Sequence, residues 1–362
     1  MTGPRLILGI ETSCDETAAA VVERGRHVLS NVVAAQHDLH AEYRGVVPEI
    51  ASRAHAERIL PVVRAALDAA NVSLGDINAV AVGNRPGLIG SLLVGVAAAK
   101  ALAYTLGVPV IGVDHVHAHL IAGLIGPPGA VPAPCAFPAL GLVVSGGHTS
   151  LYRCESILNA TRIGATIDDA VGEAYDKVAA ILALPFPGGP SLDKLARTGV
   201  ALGEQRGGFP LARIAPGSLD FSFSGLKTAA IYAYRGVPET QRTREKKLAR
   251  GDAPAPTMPA ADVAATFQLA AVASVMLKLQ RALEQHPDCR TVLVGGGVSA
   301  NSLLRERLLV LAADQRLDVR LPRMEYCVDN AAMIAALAHD LLESRDGAGD
   351  DLTMTAIPTT AF

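Results

Sequence analysis

The stretch LGLVVSGGHTSL, residues 140–151, decides the fold. An apolar run that breaks at paired glycines and resumes as TSLY reads as strand, turn and strand. The same device recurs in LILGIETSCDET (residues 6–17), AVAVGNRPGL (79–88) and TVLVGGGVSAN (291–301). Residues 6–17 also form a predicted hairpin, because AAAVV follows the turn. The other two lead into helices predicted over 88–106 and 299–313. Hairpins and crossovers that each occur twice predict an α/β protein with mixed sheets in two similar lobes.

Composition agrees with that class. Half of the 362 residues are hydrophobic and 19% are charged, against roughly 25% charged in ordinary soluble domains. Such a chain buries large cores, which excludes a disordered or fibrous protein. Aromatics are 4% with no Trp, so the cores are aliphatic. The formal charge of −3 excludes a protein that coats nucleic acid through a global basic surface. The cysteines (Cys14, Cys135, Cys154, Cys289, Cys327) are scattered, with no CxxC pair. They imply neither a disulfide framework nor a cysteine zinc site, and fit a reducing cytoplasm. No signal peptide is read at the N-terminus. Residues 88–113 carry one charge, Lys100, and are long enough to span a bilayer. Gly90, Gly95 and Pro109 favour a buried helix followed by the strand VPVIGV.

Further helices are predicted over 48–70 (with Pro61 as a bend), 168–184, 260–286 and 329–342. The helix over 260–286 is apolar almost all round and therefore central. Residues 236–259 read as an exposed loop, with a basic run at 242–250, and 344–362 as a weakly structured tail. GPPGAVPAPCAFP, residues 126–138, holds five prolines and marks a boundary. It divides an N-terminal lobe, 1–135 completed by 336–362, from a C-terminal lobe, 136–335.

Glycine turns after strands let backbone N–H groups approach an anion closely. Neither the Walker pattern nor the dinucleotide fingerprint is present. In HVHAH, Asp114 is a good N-cap and the apolar stripe Val116, Leu120, Ile121 favours a helix, which puts His115 and His119 one turn apart. That is a metal-ligand spacing, although a metalloprotease needs Glu where Val116 stands. Asp329 is a candidate third ligand or a plain N-cap. Two His and a carboxylate suit iron(II) with open positions, or zinc. Asp169, Glu173 and Asp176 form an acidic stripe, or a solvated face with a Glu173–Lys177 pair. Asp15 and Glu16 could hold a metal, take a proton, or decorate a hairpin.

GIETSCDET, HAEYRGVVPEIASRAH, LVVSGGHTSL, IDDAVGEAYDK, PGGP, DFSFSGLKT, GGGVSAN and the Asp-Asn of CVDNAAMIA occur in that order. Together they resemble the TsaD family of bacterial tRNA threonylcarbamoyladenosine synthases, formerly called the glycoprotease family, over residues 6–338. The resemblance implies the actin-like, sugar-kinase and Hsp70 ATPase fold: two ribonuclease-H-like lobes with a nucleotide cleft between them. It implies transfer of threonylcarbamoyl from threonylcarbamoyl-AMP to the exocyclic amine of the adenine at position 37 of tRNAs, beside the anticodon. It assigns one divalent metal, iron(II) before zinc, to His115, His119 and Asp329. It assigns the substrate phosphate to Val143, Val144, Ser145, Gly146 and Gly147, and the nucleoside to Asp176, Gly189, Asp193 and Asn301. Asp15 and Glu16 match acidic residues tied to activity. A smaller paralogous subunit and a P-loop ATPase are the implied partners, in a cytoplasmic setting without a membrane.

The chain departs from the family at Arg85, where Gly is usual before Pro86-Gly87-Leu88, and in its basic loop. Arg44, Arg53 and Arg85 are candidate contacts to phosphates of the anticodon stem-loop. An Hsp70-like nucleotide-dependent binding protein and a metalloprotease are the competing readings. The first wants a separate substrate domain, the second the missing Glu.

Overall fold

A computed structural model describes residues 6–43, 45–203, 208–212, 214–236 and 257–360. Arg44 and the basic run 242–250 lie outside the described residues. The first sheet is built from β1 (Leu6–Glu11), β2 (Glu16–Glu23), β3 (His27–Ala35), β4 (Ala79–Arg85) and β5 (Val110–Asp114), in the order β3-β2-β1-β4-β5. β2 runs antiparallel to β1 and β3, while β1, β4 and β5 are parallel, with Ile7 opposite Val22 on one side and Ala79 on the other. The second sheet contains β6 (Ala139–Val144), β7 (Thr149–Cys154), β8 (Ala160–Ala165), β9 (Thr291–Gly295) and β10 (Asp318–Arg320), ordered β10-β9-β6-β7-β8. Its hairpins and parallel pairs repeat those of the first, with Leu142 opposite Leu151 and Val294. One topology is therefore used twice, and both expected hairpins form.

Helices cover both faces of the first sheet, which is why its central strands are almost continuously apolar. β3 leads into the single turn α1 (His37–His40), then α2 (Pro48–Ala70) and α3 (Ile89–Leu106). Leu8, Ile10, Ala19 and Val21 face α2 and α3 through Ile59, Val63, Val96 and Ala99. The alternate residues Ile7, Ala18, Ala20 and Val22 share a core with the last helix. A short helix, α4 (His115–Ala118), follows β5 and tightens to 3-10 over His119–Leu124. The second sheet carries α5 (Val171–Ile181), α6 (Gly188–Ala196), α7 (Ser224–Arg235), α8 (Ala260–Gln285) and α9 (Ser302–Gln315). Leu140, Leu142, Val292 and Val294 face this layer, and α8 contributes Phe267, Ala271 and Leu279 to it. The last helix is α10 (Ala331–Ser344).

The predicted helices are present with shifted ends. α5 begins at Val171 instead of 168, because Asp168 is spent on Ser222, Ser224 and the Phe223 N–H at the start of α7. α9 begins at Ser302, after a 3-10 turn at Gly297–Ala300. Pro61 lies within α2, which continues to Ala70. The tail lacks regular structure but is pinned. Asp350 accepts from the Gly112 N–H, Lys100 donates to the Met354 carbonyl, and Thr360 donates to Asp114.

α10 and the residues 115–124 fill the space between the two sheets, in one core with Ala139, Val143 and Leu293 of the second sheet. Two glycines permit this. A Cβ on Gly9 would stand 2.2 Å from the Ala331 carbonyl oxygen, and one on Gly295 2.0 Å from that of His119. Gly295→Ala must push the His119 turn off its sheet, at a cost of about 1–3 kcal/mol. Thermal melting should fall accordingly. Gly146→Ala, which has nothing within 4 Å of its added Cβ, should melt with the unaltered chain.

Candidate metal centre and the cleft around it

His115 and His119 occupy the first and last positions of one helical turn, capped by the Asp114 carboxylate, which accepts from the His117 N–H. Their rings meet edge to face with centroids 4.7 Å apart. Asp329 reaches both: its Oδ1 is 3.4 Å from His115 Nε2 and 3.3 Å from His119 Nε2. Asp329 is not the N-cap of the last helix. Asn330 caps it by accepting from the Met333 N–H at 3.0 Å, so α10 starts at Ala331 instead of 329. That shift leaves the Asp329 carboxylate available to the histidines.

The electrostatics suit a cation. Burial opposes charge on His115, but Asp329 and Glu11 outweigh it and hold its pKa well above the ordinary value. Burial lowers His119. Burial would raise Asp329, but His115 and His119 hold it well below the carboxylate range. Neither ring nitrogen of fully buried His119 has a hydrogen-bond partner. An unpartnered buried imidazole is costly, and a metal ion at Nε2 would satisfy one of the two nitrogens. The three ligand atoms lie within 4.8 Å of one another and could hold one ion. His117 turns away and bonds the Ile157 carbonyl.

The sequence does not single out Glu11. It is completely buried at the end of β1, 3.1 Å from His115 Nδ1, and its other oxygen accepts from the Ser13 N–H. It therefore orients the imidazole so that Nε2 faces Asp329, the usual place of a carboxylate behind a metal-binding histidine. A charge closing an otherwise apolar strand was the available signal. His55 of α2, the last residue of the run HAEYRGVVPEIASRAH, is given no role by that motif. Buried, it donates from Nε2 to the Cys14 carbonyl at 3.0 Å and meets Thr17 Oγ1 at 2.8 Å through Nδ1. It clamps the turn that presents Asp15 and Glu16.

Asp15 is buried and Glu16 partly so. Burial pushes the Glu16 carboxyl up to about 8, with Asp329 and Asp15 adding to the effect and His37 opposing it. Val143 and Val144 end β6, buried; the Ser145 N–H bonds the His148 carbonyl, and Gly146 and Gly147 have open space beside them. Burial and the nearby His115 and His119 lower His148 to about 4. Asp176 of α5 accepts from the Gly188 N–H at 2.8 Å, next to Gly189. Asn301 caps α9 through Leu304, and its amide donates to Gln268, Asp193 and Tyr175. Asp193 is engaged at both oxygens, by Ser302 and Arg197. Asp169 precedes α5, so it does not continue a stripe on that helix; Lys177 bonds both Asp169 and Glu173. Arg85 closes β4, half-buried, and Arg53 on α2 is exposed.

Two copies of one mixed sheet with a His-His-carboxylate centre at their junction define the class: an actin-like two-lobed protein carrying a candidate metal centre. The profile of TsaD, tRNA N6-adenosine threonylcarbamoyltransferase, matches residues 27–336, and the chain belongs to that family. A curated relative of that name from Trichlorobacter lovleyi is 47% identical over 354 residues, covering 98% of this chain and 96% of its own. One from Moorella thermoacetica is 47% identical over 353 residues, covering 97% and 96%. Among solved structures, full-length HypF in its phosphate- and nucleotide-bound form aligns with a TM-score of 0.56 at 15% identity, over 93% of this chain and 46% of HypF. HypF of T. kodakarensis gives 0.55 at 14%, over 94% and 48%. These likenesses concern the fold alone.

Replacing Glu11 by Gln should weaken metal affinity by about 10–100-fold while leaving one ion bound at saturation. The His115→Ala, His119→Ala pair should lose the ion altogether, and His117→Ala should keep it. Elemental analysis of the purified variants checks all three. Unchanged metal content in the double variant would remove the centre from these residues.

Proposed function

We propose that the chain moves the threonylcarbamoyl group of threonylcarbamoyl-AMP onto the exocyclic amine of the adenine at position 37, beside the anticodon. The observation that carries this reading is the convergence of three things at the sheet junction: the His115, His119 and Asp329 centre, the Asp15–Glu16 turn and the open glycines after β6. The donor is a mixed anhydride, so its carbonyl is already activated and no covalent enzyme intermediate is required. The adenine nitrogen forms the new C–N bond, the bond to phosphate breaks, and AMP leaves.

Val143, Val144, Ser145, Gly146 and Gly147 orient the phosphate, which converts the encounter into an oriented one. Asp176, Gly189 and Asn301 hold the nucleoside, and Asp193 positions Asn301 through the hydrogen bond they share. Glu16, beside Asp15, receives the proton of the attacking amine; a buried carboxyl with a raised pKa suits a base working near neutrality. One divalent cation, iron(II) before zinc, fits the two imidazoles and one carboxylate. When bound, it supplies positive charge against the donor's phosphate or carbonyl oxygen.

The same reading includes a smaller paralogous subunit and a P-loop ATPase as partners. The outer face of α3 carries Ile89, Leu93, Ala97, Ala101 and Tyr104 exposed in one stripe, which supports docking of the paralogous subunit there. α3 and α8 are long and apolar enough to cross a membrane by length and composition. The core role of α8 and the partner face of α3 account for both, and the unpaired cysteines support a cytoplasmic setting. Lobes 1–135 with 336–362, and 136–335, are the units that would close on the donor. A chaperone-like or proteolytic role has no comparable support: Val116 occupies the place of the protease glutamate.

Mass analysis of tRNA nucleosides from a strain depleted of this protein should show loss of threonylcarbamoyladenosine, restored by the chain but not by the His115→Ala, His119→Ala variant. Normal nucleoside levels in the depleted strain would overturn the assignment. Gly146→Val should abolish donor binding in calorimetry, because a branched side chain fills the space the phosphate needs. Unchanged binding would put the cradle elsewhere.

A further inference from the structure

His37 has no part in the motifs that brought the chain to its family. It opens α1, directly after β3, and stands between two groups that belong to different halves of the molecule. Its Nε2 is 3.5 Å from Glu16 Oε1 on the first sheet. Its ring meets Phe186 edge-on, with centroids 5.9 Å apart and planes at 84°. Phe186 lies in the segment joining α5 to α6, immediately before Pro187 and the Gly188 whose N–H bonds Asp176. His37 thus touches the acid turn with one edge and the approach to the nucleoside residues with another.

From this juxtaposition we infer that His37 is a positioning residue that favours the ionised form of Glu16 and holds the carboxylate in place. The inference rests on the reading of Glu16 as the proton acceptor. Among the described residues, the other charged groups acting on the pair are acidic: Asp15 in the same turn and Asp38 beside His37 on α1, with Asp329 before α10 adding its charge when no cation is bound to it. A carboxyl in such company resists ionisation twice, through burial and through like charge. His37 is the cation that opposes both, and Glu16 in turn raises the pKa of His37. The imidazole is also the wetter partner, with 37% of its side chain exposed against 13% for Glu16. Phe186 packs edge-on against the same ring.

The sign of the effect follows. Removing the positive charge raises the Glu16 pKa further, so the carboxylate needed to receive the amine proton appears only at higher pH. Single-turnover transfer of threonylcarbamoyl from threonylcarbamoyl-AMP to a tRNA transcript is to be measured against pH, using the metal-loaded full chain with its partner subunits. In His37→Leu the acid limb should move to higher pH, with about tenfold loss of rate below the midpoint for each unit moved, and an unchanged plateau at alkaline pH. His37→Lys, which retains a cation, should return the limb towards its original position, and His37→Gln should fall between. A merely structural role would lower the plateau and leave the limb in place, and that result overturns the inference. Glu16→Gln separates the two claims. If it transfers as well as the unaltered chain, the reading of Glu16 as base fails. If it is inactive while His37→Leu and His37→Gln keep the original limb, only the role of His37 fails.

Discussion

Two imidazoles and a carboxylate meet in the layer between two sheets, and that meeting constrains the rest of the molecule. Buried groups of this kind are tolerated only when each is paired or bound to a cation. His115 is paired twice, with Glu11 behind it and Asp329 in front. His119 has Asp329 near it, yet both its ring nitrogens lack a hydrogen bond. The group could therefore hold a metal ion. Its ligands come from a turn after the first sheet and from the residue before the final helix's cap, so completing it ties distant parts of the sequence together.

That constraint explains why small residues line the middle layer. The final helix begins Ala331-Ala332 and continues through Ala335, Ala336 and Ala338, all fully buried. With Gly9 beneath it on one sheet and Gly295 beneath the His119 turn on the other, backbone approaches backbone where side chains would hold the layers apart. The low aromatic content of the chain belongs to the same economy of space. Phe221, Phe223, Phe267 and Tyr175 pack in the core of the second sheet, while Tyr152 and Tyr326 are the buried aromatics of the middle layer.

Much of this was legible in the sequence because it is written in local patterns. A strand, a glycine turn and a second strand are neighbours in the chain, so the duplicated hairpins could be read from periodicity alone. The i,i+4 histidines were legible for the same reason. Asp329 was harder, since its neighbour Asn330 is an equally good cap, and only the register of α10 decides which of the two turns inwards. The roles of Glu11, His37 and His55 were not legible, although Glu11 and His55 fall inside the quoted motifs. Each acts through a partner far along the chain: His115, Phe186 and Cys14. A single side chain carries no periodic signal of such a pairing.

The acid turn shows how these separate legibilities combine. Cys14 and Asp15 lie in the turn between β1 and β2 and Glu16 opens β2, and hairpin geometry alone would leave their orientation to solvent. α2 prevents that with His55, which bonds the Cys14 carbonyl and Thr17, while the Gln36 N–H bonds the Asp15 carbonyl. The turn is therefore held by a helix whose other face is exposed. The acid turn comes from the first half of the chain, and Asp176, Gly189 and Asn301 from the second, with Asp329 joining from near the end of the sequence. Neither half carries all of these groups, so they come together only when the two sheets pack on the shared middle layer.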